Sequence, residues 1–297
     1  MLDKEQFENA RAFIWSNARL LDRRLFAFLY EGGSREAVIA ALGAYQNEDG
    51  GFGNALEPDI RAPVSQPVPV EIALRVLDLV DGFAAAGELV TRACDYLLTI
   101  TTPEGGVPSA LPSLQAYPHA PWWETADVPV ASPNPTAAIA GLLQGHGVNH
   151  PWLAPATEYC WRAIADSETT EYHDLVPMLT FLEHAQDRER AEHELRRIGE
   201  RILKPGVVAY ETDAEGYVKG PLDWAPTPAS YCRRLFTDEV IATHLAALAA
   251  RQQSDGGWPI SWPPISPACE LEWRGHVTIE MLLTLRAYGA LEAEGAQ

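Results

Sequence analysis

Residues 37–53 read AVIAALGAYQNEDGGFG. An apolar helical stretch runs into Gln46, a few polar residues, Asp49, two glycines and an aromatic. Residues 240–258, VIATHLAALAARQQSDGGW, repeat that order with Gln252, Asp255, Gly256, Gly257 and Trp258. A weaker copy is CDYLLTITTPEGGVP at 94–108, and RRIGERILKPGVVAY at 196–210 keeps a single glycine, Gly206. From Gly51 to Gly106 is 55 residues, from Gly206 to Gly257 is 51, and from Gly106 to Gly206 is 100, two periods with one copy eroded near 165–174. A fixed period near 50 residues is the mark of a repeat architecture, in which each unit buries its apolar face on its neighbours.

Each unit holds two helices. The stretches 34–46, 87–101, 151–166, 188–204 and 238–253 are charged on one face, as in RAEHELRRIGERI, and suit an outer ring. The stretches 18–31, 68–81, 135–146, 173–185 and 228–236 are apolar or small all round, as in PTAAIAGLLQG, and suit an inner ring buried on both sides. Residues 275–291 add a sixth inner helix and residues 3–16 an outer helix that would close on it. The expectation is an all-α (α/α)6 toroid of twelve helices, a single domain over 1–297, with its proline-rich loops (58–69, 108–135, 221–228, 259–267) gathered at one mouth. Gly-Gly permits positive φ and close backbone approach where an outer helix ends, and the Gln can bond a neighbouring helix.

Composition narrows the partners. Lys and Arg total 22 against 41 Asp and Glu, a net charge of −19. A nucleic acid or an anionic membrane needs a basic footprint, so neither is expected. Apolar runs are too short for a membrane-spanning helix. The start, MLDKEQFENARAF, lacks the apolar core of a signal peptide. Cys94, Cys160, Cys232 and Cys269 form no CxxC pair, which fits reduced, buried thiols in a cytoplasmic protein.

The stretches YQNEDGGFG (45–53) and ARQQSDGGWP (250–259) resemble the QW motifs of triterpene cyclases and the Gln…Gly-Gly-aromatic repeats of protein prenyltransferase β subunits. With FGNALEPDIRAPVSQP (52–67) following the first repeat, the sequence is most similar to small bacterial prenyltransferase/squalene-oxidase repeat proteins. The resemblance implies the terpenoid cyclase/prenyltransferase α/α-toroid fold and a small apolar, isoprenoid-type ligand. Class II terpene cyclases protonate an alkene or epoxide with a DxDD acid, and this sequence has no DxDD; it has no DDxxD diphosphate-metal motif either. Prenyltransferases hold zinc with an Asp and a Cys two residues apart and a His one repeat later. Cys232 and His276 match in position and type, but Ser230 replaces the Asp. Two ligands do not make a tight zinc site, so no cofactor is expected.

The acids Glu57 and Asp59 sit in a mouth loop with Arg61 close by. They either pin the loop through a local ion pair or act as a general acid or ligand-gripping carboxylate. His276 is read as opening an inner helix, where the dipole depresses an imidazole pKa and favours a neutral base. His173 and Tyr231 start other inner helices and are candidate ligand contacts. Trp122, Trp123, Trp224, Trp262 and Trp273 lie in or beside mouth loops, where aromatic faces cover an apolar ligand or a cation, or else plug the mouth. The leading expectation is therefore an enzyme acting on an isoprenoid by acid-initiated chemistry, with Glu57, Asp59 and His276 catalytic. A carbohydrate-active hydrolase or lyase pairing Glu57 or Asp59 with Glu124, Asp127 or Asp174, and a non-catalytic scaffold, remain as alternatives.

Overall fold

A computed structural model of the chain describes residues 1–292. The last five residues of the expected 1–297 domain lie outside the described residues. Among the described residues there are twelve α-helices and no strand, only isolated β-bridges. The helices are α1 (Lys4–Asn17), α2 (Leu20–Tyr30), α3 (Arg35–Gly43), α4 (Pro67–Leu79), α5 (Gly87–Thr99), α6 (Pro133–Gly145), α7 (Leu153–Asp166), α8 (Tyr172–His184), α9 (Arg188–Ile202), α10 (Pro221–Trp224), α11 (Asp238–Ala250) and α12 (Pro267–Ala287).

Eleven of these match the expected stretches to within a few residues, save that α12 starts well before 275. The fifth inner helix, expected at 228–236, does not form. Its place holds α10 and a 3-10 turn at Tyr231–Leu235. Ala225-Pro226-Thr227-Pro228 ends α10. A residue before proline is pushed out of the α region, and Ala225 adopts φ −128° and ψ 69°. The YCRRLF remnant is then too short to pay its own nucleation cost.

The chain divides into two compact units, Met1–Val38 with Ile202–Gln297, and Ile39–Arg201. They are called the terminal and central units below. In the central unit α6 packs on both α8 and α4. Pro135 to Leu143 of α6 are all buried. A Cβ on Gly141 would stand 2.7 Å from both Phe181 Cα and Thr180 O, so the small residues of PTAAIAGLLQG let α6 and α8 approach closely. In the terminal unit α1 opens with a reciprocal cap. Asp3 Oδ1 accepts from Gln6 N at 2.8 Å while Gln6 Oε1 accepts from Asp3 N at 3.1 Å. α1 then packs on α12 and α2, Leu2 N donates to Ala290 O at 2.8 Å, and Glu292 N donates to Leu2 O at 3.0 Å.

The glycine repeats are helix joints, and the two glycines divide the work. The first takes positive φ: 89° at Gly50, 96° at Gly105, 91° at Gly256. It also lies against the backbone of the next outer helix, where a Cβ would meet Arg92 O at 2.3 Å, Pro155 O at 2.8 Å or Asn9 O at 2.1 Å respectively. The second faces a ring on that same helix. A Cβ on Gly51, Gly106 or Gly257 would come within 2.8 Å of Tyr96, Tyr159 or Phe13. Gln46 Nε2 donates to Gly50 O and to Leu89 O, both at 2.9 Å. Gln252 Nε2 donates to Gly256 O at 2.9 Å and to Gln6 O at 2.7 Å, binding the last joint to α1. Each glutamine thus closes its own turn and grips the next outer helix, two bonds each contributing on the order of 1 kcal/mol.

Candidate functional site

The candidate side chains fall in both units. In the terminal unit, α12 starts at Pro267, capped by Ser266, whose Oγ accepts from Cys269 N at 3.1 Å. His276 consequently lies in the third turn of α12, not at a helix N-terminus, and the dipole argument for a depressed pKa does not hold there. Its Nε2 is 3.2 Å from Glu280 Oε1, one turn further on. Burial pulls the imidazole pKa down, but the charge and hydrogen bond of Glu280 and the charge of Asp22 outweigh burial and the opposing Arg19, so it stands above its ordinary value. A raised pKa means that protonation of His276 stabilises the fold. That stabilisation is complete below the ordinary imidazole pKa and is lost as pH rises through the raised one.

Asp22, in the first turn of α2, is buried and held by Arg19, with Nε 2.8 Å from Oδ2 and an Nη 3.2 Å from Oδ1. Asp223 of α10 accepts from Gly220 N at 2.7 Å. The surrounding protein pushes its carboxyl above the ordinary value, against Lys219, the Gly220 N–H and Arg251, and with the help of Glu280. Asp223 also lines a small pocket of about 50 Å³ together with His244 and Arg251, room for a water or two.

A line of rings leads to His276. Tyr217 meets Trp262 edge-on at 5.8 Å, Trp262 meets Trp273 edge-on at 5.1 Å, and Trp273 lies 5.7 Å from the His276 ring. Edge-to-face rings at such spacings are favourable pairs. His276 keeps 30% of its side chain accessible although the protein around it desolvates it. Trp224 is buried; Tyr231 is buried with Arg234 stacked 4.2 Å above its ring; Cys232 is buried in the 3-10 turn.

In the central unit, Glu57 and Asp59 are 4% and 2% exposed. They sit in a loop that docks on residues 110–123. Ala120 N donates to Asp59 O at 2.9 Å and Arg61 N to Pro118 O at 2.9 Å. The Arg61 guanidinium reaches Pro58 O at 3.4 Å. Ile60, Ala62, Ala110 and Leu114 form a small core of their own, with Trp123 packed against it. Trp122 beside it is exposed. The loop starts with Asn54 and Ala55 at φ 55° and 61°, left-handed conformations that are strained for residues with a side chain. His173 stands exposed in the first turn of α8, its ring against Tyr172.

The structure thus brings Trp262, Trp273 and His276 together in the terminal unit, and Glu57, Asp59, Arg61 and Trp123 together in the central one. Sequence reasoning missed Glu280, Asp223, Arg19 and Tyr217. Glu280 was findable, since H276-V-T-I-E280 has the spacing of a helical pair. Tyr217 lies in a loop and carries no periodic signal. Among the described residues, no group of three or more His, Cys, Asp or Glu is placed to hold a metal ion, and no helix is long and apolar enough to cross a membrane.

Known structures share this fold. One of a protein from Actinoplanes is similar over 96% of this chain and 99% of its own, with a TM-score of 0.57 at 17% identity. The type II terpene cyclase MstE from Scytonema, solved without ligand, matches 95% of this chain and 96% of its own, with a TM-score of 0.53 at 11% identity. MstE in complex with merosterolic acid A, its product, matches with a TM-score of 0.52 at 13% identity, over 95% of this chain and 94% of its own. No family profile and no curated protein matches the sequence. The likenesses give the fold: the chain is an all-α, α/α-toroid protein of terpenoid-cyclase-like architecture.

Proposed function

We propose that this chain binds an apolar, isoprenoid-type small molecule and acts on it by acid-initiated chemistry. The observation that carries the reading is the line of rings Tyr217–Trp262–Trp273 ending on the His276–Glu280 pair. Aromatic faces stabilise positive charge developing on carbon. A neutral carboxyl is the stronger acid and starts such a reaction by adding its proton to an alkene or epoxide. Within the unit that carries the rings, Asp223 is the candidate for that step, its carboxyl standing above the ordinary value. His276, linked to Glu280, is suited to receiving the proton that the cation gives up. The structures of the terpene cyclase MstE, one of them with its product bound, support the reading at the level of fold.

Incubation with geranylgeraniol and its terminal epoxide tests it. Binding is read by quenching of tryptophan fluorescence, and cyclisation by mass spectrometry of the extract. Trp273→Ala is expected to weaken binding, and His276→Gln to slow turnover about a hundredfold, the ordinary effect of losing an acid–base group. Asp223→Asn tests whether that carboxyl starts the reaction. Absence of binding overturns the reading, and quenching by small glycosides instead selects carbohydrate chemistry. A scaffold is the second reading, favoured by Trp123, Trp224 and Trp258, which are spent on packing; full activity in none of the assays, with all variants equally stable, would select it.

A further inference from the structure

We infer that the small cavity between the loop after α9 and helices α10 and α11 of the terminal unit is a binding site for the carboxylate group of a small organic acid, held by Arg251 and His244. The inference goes beyond the isoprenoid reading and does not depend on it.

Size limits the ligand first. The cavity has about 50 Å³. A water takes about 30 Å³ of liquid, so the room suits a carboxylate group and not a phosphate. Glu211, Thr212 and Val218 on its lining are exposed, so the cavity reaches solvent.

Two basic side chains supply the grip. His244 Nε2 lies 3.0 Å from Tyr210 O. A carbonyl only accepts, so Nε2 carries the proton and Nδ1 is the atom left to meet a ligand. A Cβ on Gly220 would stand 3.5 Å from that Nδ1. Gly220 lines the same cavity, so its lack of a side chain keeps the Nδ1 edge open. Arg251 follows His244 by two helical turns and comes to the same face of α11. Among the described residues, no hydrogen bond or ion pair engages its side chain. A guanidinium fork matches both oxygens of a carboxylate.

The third titratable wall does not oppose an anion as an ordinary carboxylate would. The protein around Asp223 desolvates it and holds its carboxyl above the ordinary value, against Lys219, the Gly220 N–H and Arg251, and with the help of Glu280. A carboxyl that keeps its proton repels an anion less and can share that proton with it. Glu211 is the opposing charge, and it stands in solvent, where screening is strong. Leu222 and Ala247 complete the lining with apolar surface. The ligand class is therefore a short aliphatic monocarboxylate. Its charge would in turn hold the Asp223 proton in place; that consequence, unlike the binding, bears on the proposed acid.

Titration with sodium acetate at fixed ionic strength tests the site, followed by calorimetry and by the Cε1–H proton resonance of His244. Saturable binding that shifts this resonance is expected. Arg251→Gln is expected to weaken it about tenfold, the loss of one charge-assisted pair. Gly220 has φ −86° and ψ 176°, extended backbone that alanine also adopts. Gly220→Ala should therefore keep the melting temperature and still weaken acetate binding by a similar factor, because its Cβ covers Nδ1. Acetamide, equal in shape and uncharged, is expected not to compete. The site is overturned if acetate does not bind saturably, if Arg251→Gln binds as the parent does, or if acetamide or chloride competes as well as acetate does.

Discussion

Two glycine turns in the terminal unit look alike in sequence and differ in what holds them. Gly256 and Gly206 both adopt positive φ, 91° and 83°. Around Gly256 every part of the repeat is engaged. Gln252 bridges to Gln6, Asp255 Oδ1 accepts from Gly257 N at 3.1 Å, and the next outer helix presses on the turn. Around Gly206 there is nothing within 4 Å of a Cβ. The first glycine is required by contact as well as by torsion; the second only by torsion. A lost repeat therefore loses its packing before it loses its backbone conformation. The copy that lacks glycine altogether, after α7, is joined by another device: the buried Arg201 of α9 donates to Ser167 O at 2.9 Å and Thr169 O at 3.2 Å.

The difference can be broken experimentally. Gly256→Ala forces a Cβ to within 2.1 Å of Asn9 O at a positive φ. Left-handed strain and overpacking together should cost about 3 kcal/mol or more, read as the loss in denaturant midpoint. Gly206→Ala carries torsional strain alone and should cost about 1 kcal/mol in the same titration. Equal losses for the two would show that contact with α1 adds nothing.

The smallest effect sharpens the comparison between the first joint and the last. Asp49 Oδ1 takes Ser65 Oγ at 2.7 Å, whereas Asp255 Oδ1 takes Arg274, with an Nη at 2.7 Å. That hydrogen bond to Arg274 is the main reason the Asp255 carboxyl stands below its ordinary value. Its stabilising contribution is present above the ordinary carboxyl pKa and is lost as pH falls through the depressed one. With Asp255 half exposed, the pair should contribute about 0.5 kcal/mol. Melting temperature against pH should therefore fall less steeply on the acid side in Asp255→Asn than in the parent, and parallel curves would mean the pair contributes nothing.

Most of the fold was legible because its signals are local. Helical periodicity, a glycine pair at a fixed interval and a glutamine four residues before it each act over a few residues, and each landed where expected. Where legibility failed, the cause was also physical. The fifth inner helix did not form, since apolarity alone does not nucleate a helix. The start of α12 was read too late because the polar turn PACELEW hid a good Ser cap and an N1 proline, and His276 was misjudged as a result. Of the candidate site, the residue types were legible and their partners were not. Trp262, Trp273 and His276 could be named, but Asp22, Asp223 and Tyr217 meet the Glu280–His276–Trp line only through folding of distant segments.

The residues themselves set which helices form, where they stop, that they repeat, and that the surface is strongly acidic, because these depend on neighbours along the chain. Folding alone decided which glycine of each pair bears the left-handed turn, which helix each glutamine grips, and that Tyr217 and Trp262 come to the rings beside His276. Those outcomes depend on backbone approaches of 2–3 Å and on charges from segments far apart in the chain, and no pattern within a single stretch encodes a distance to another.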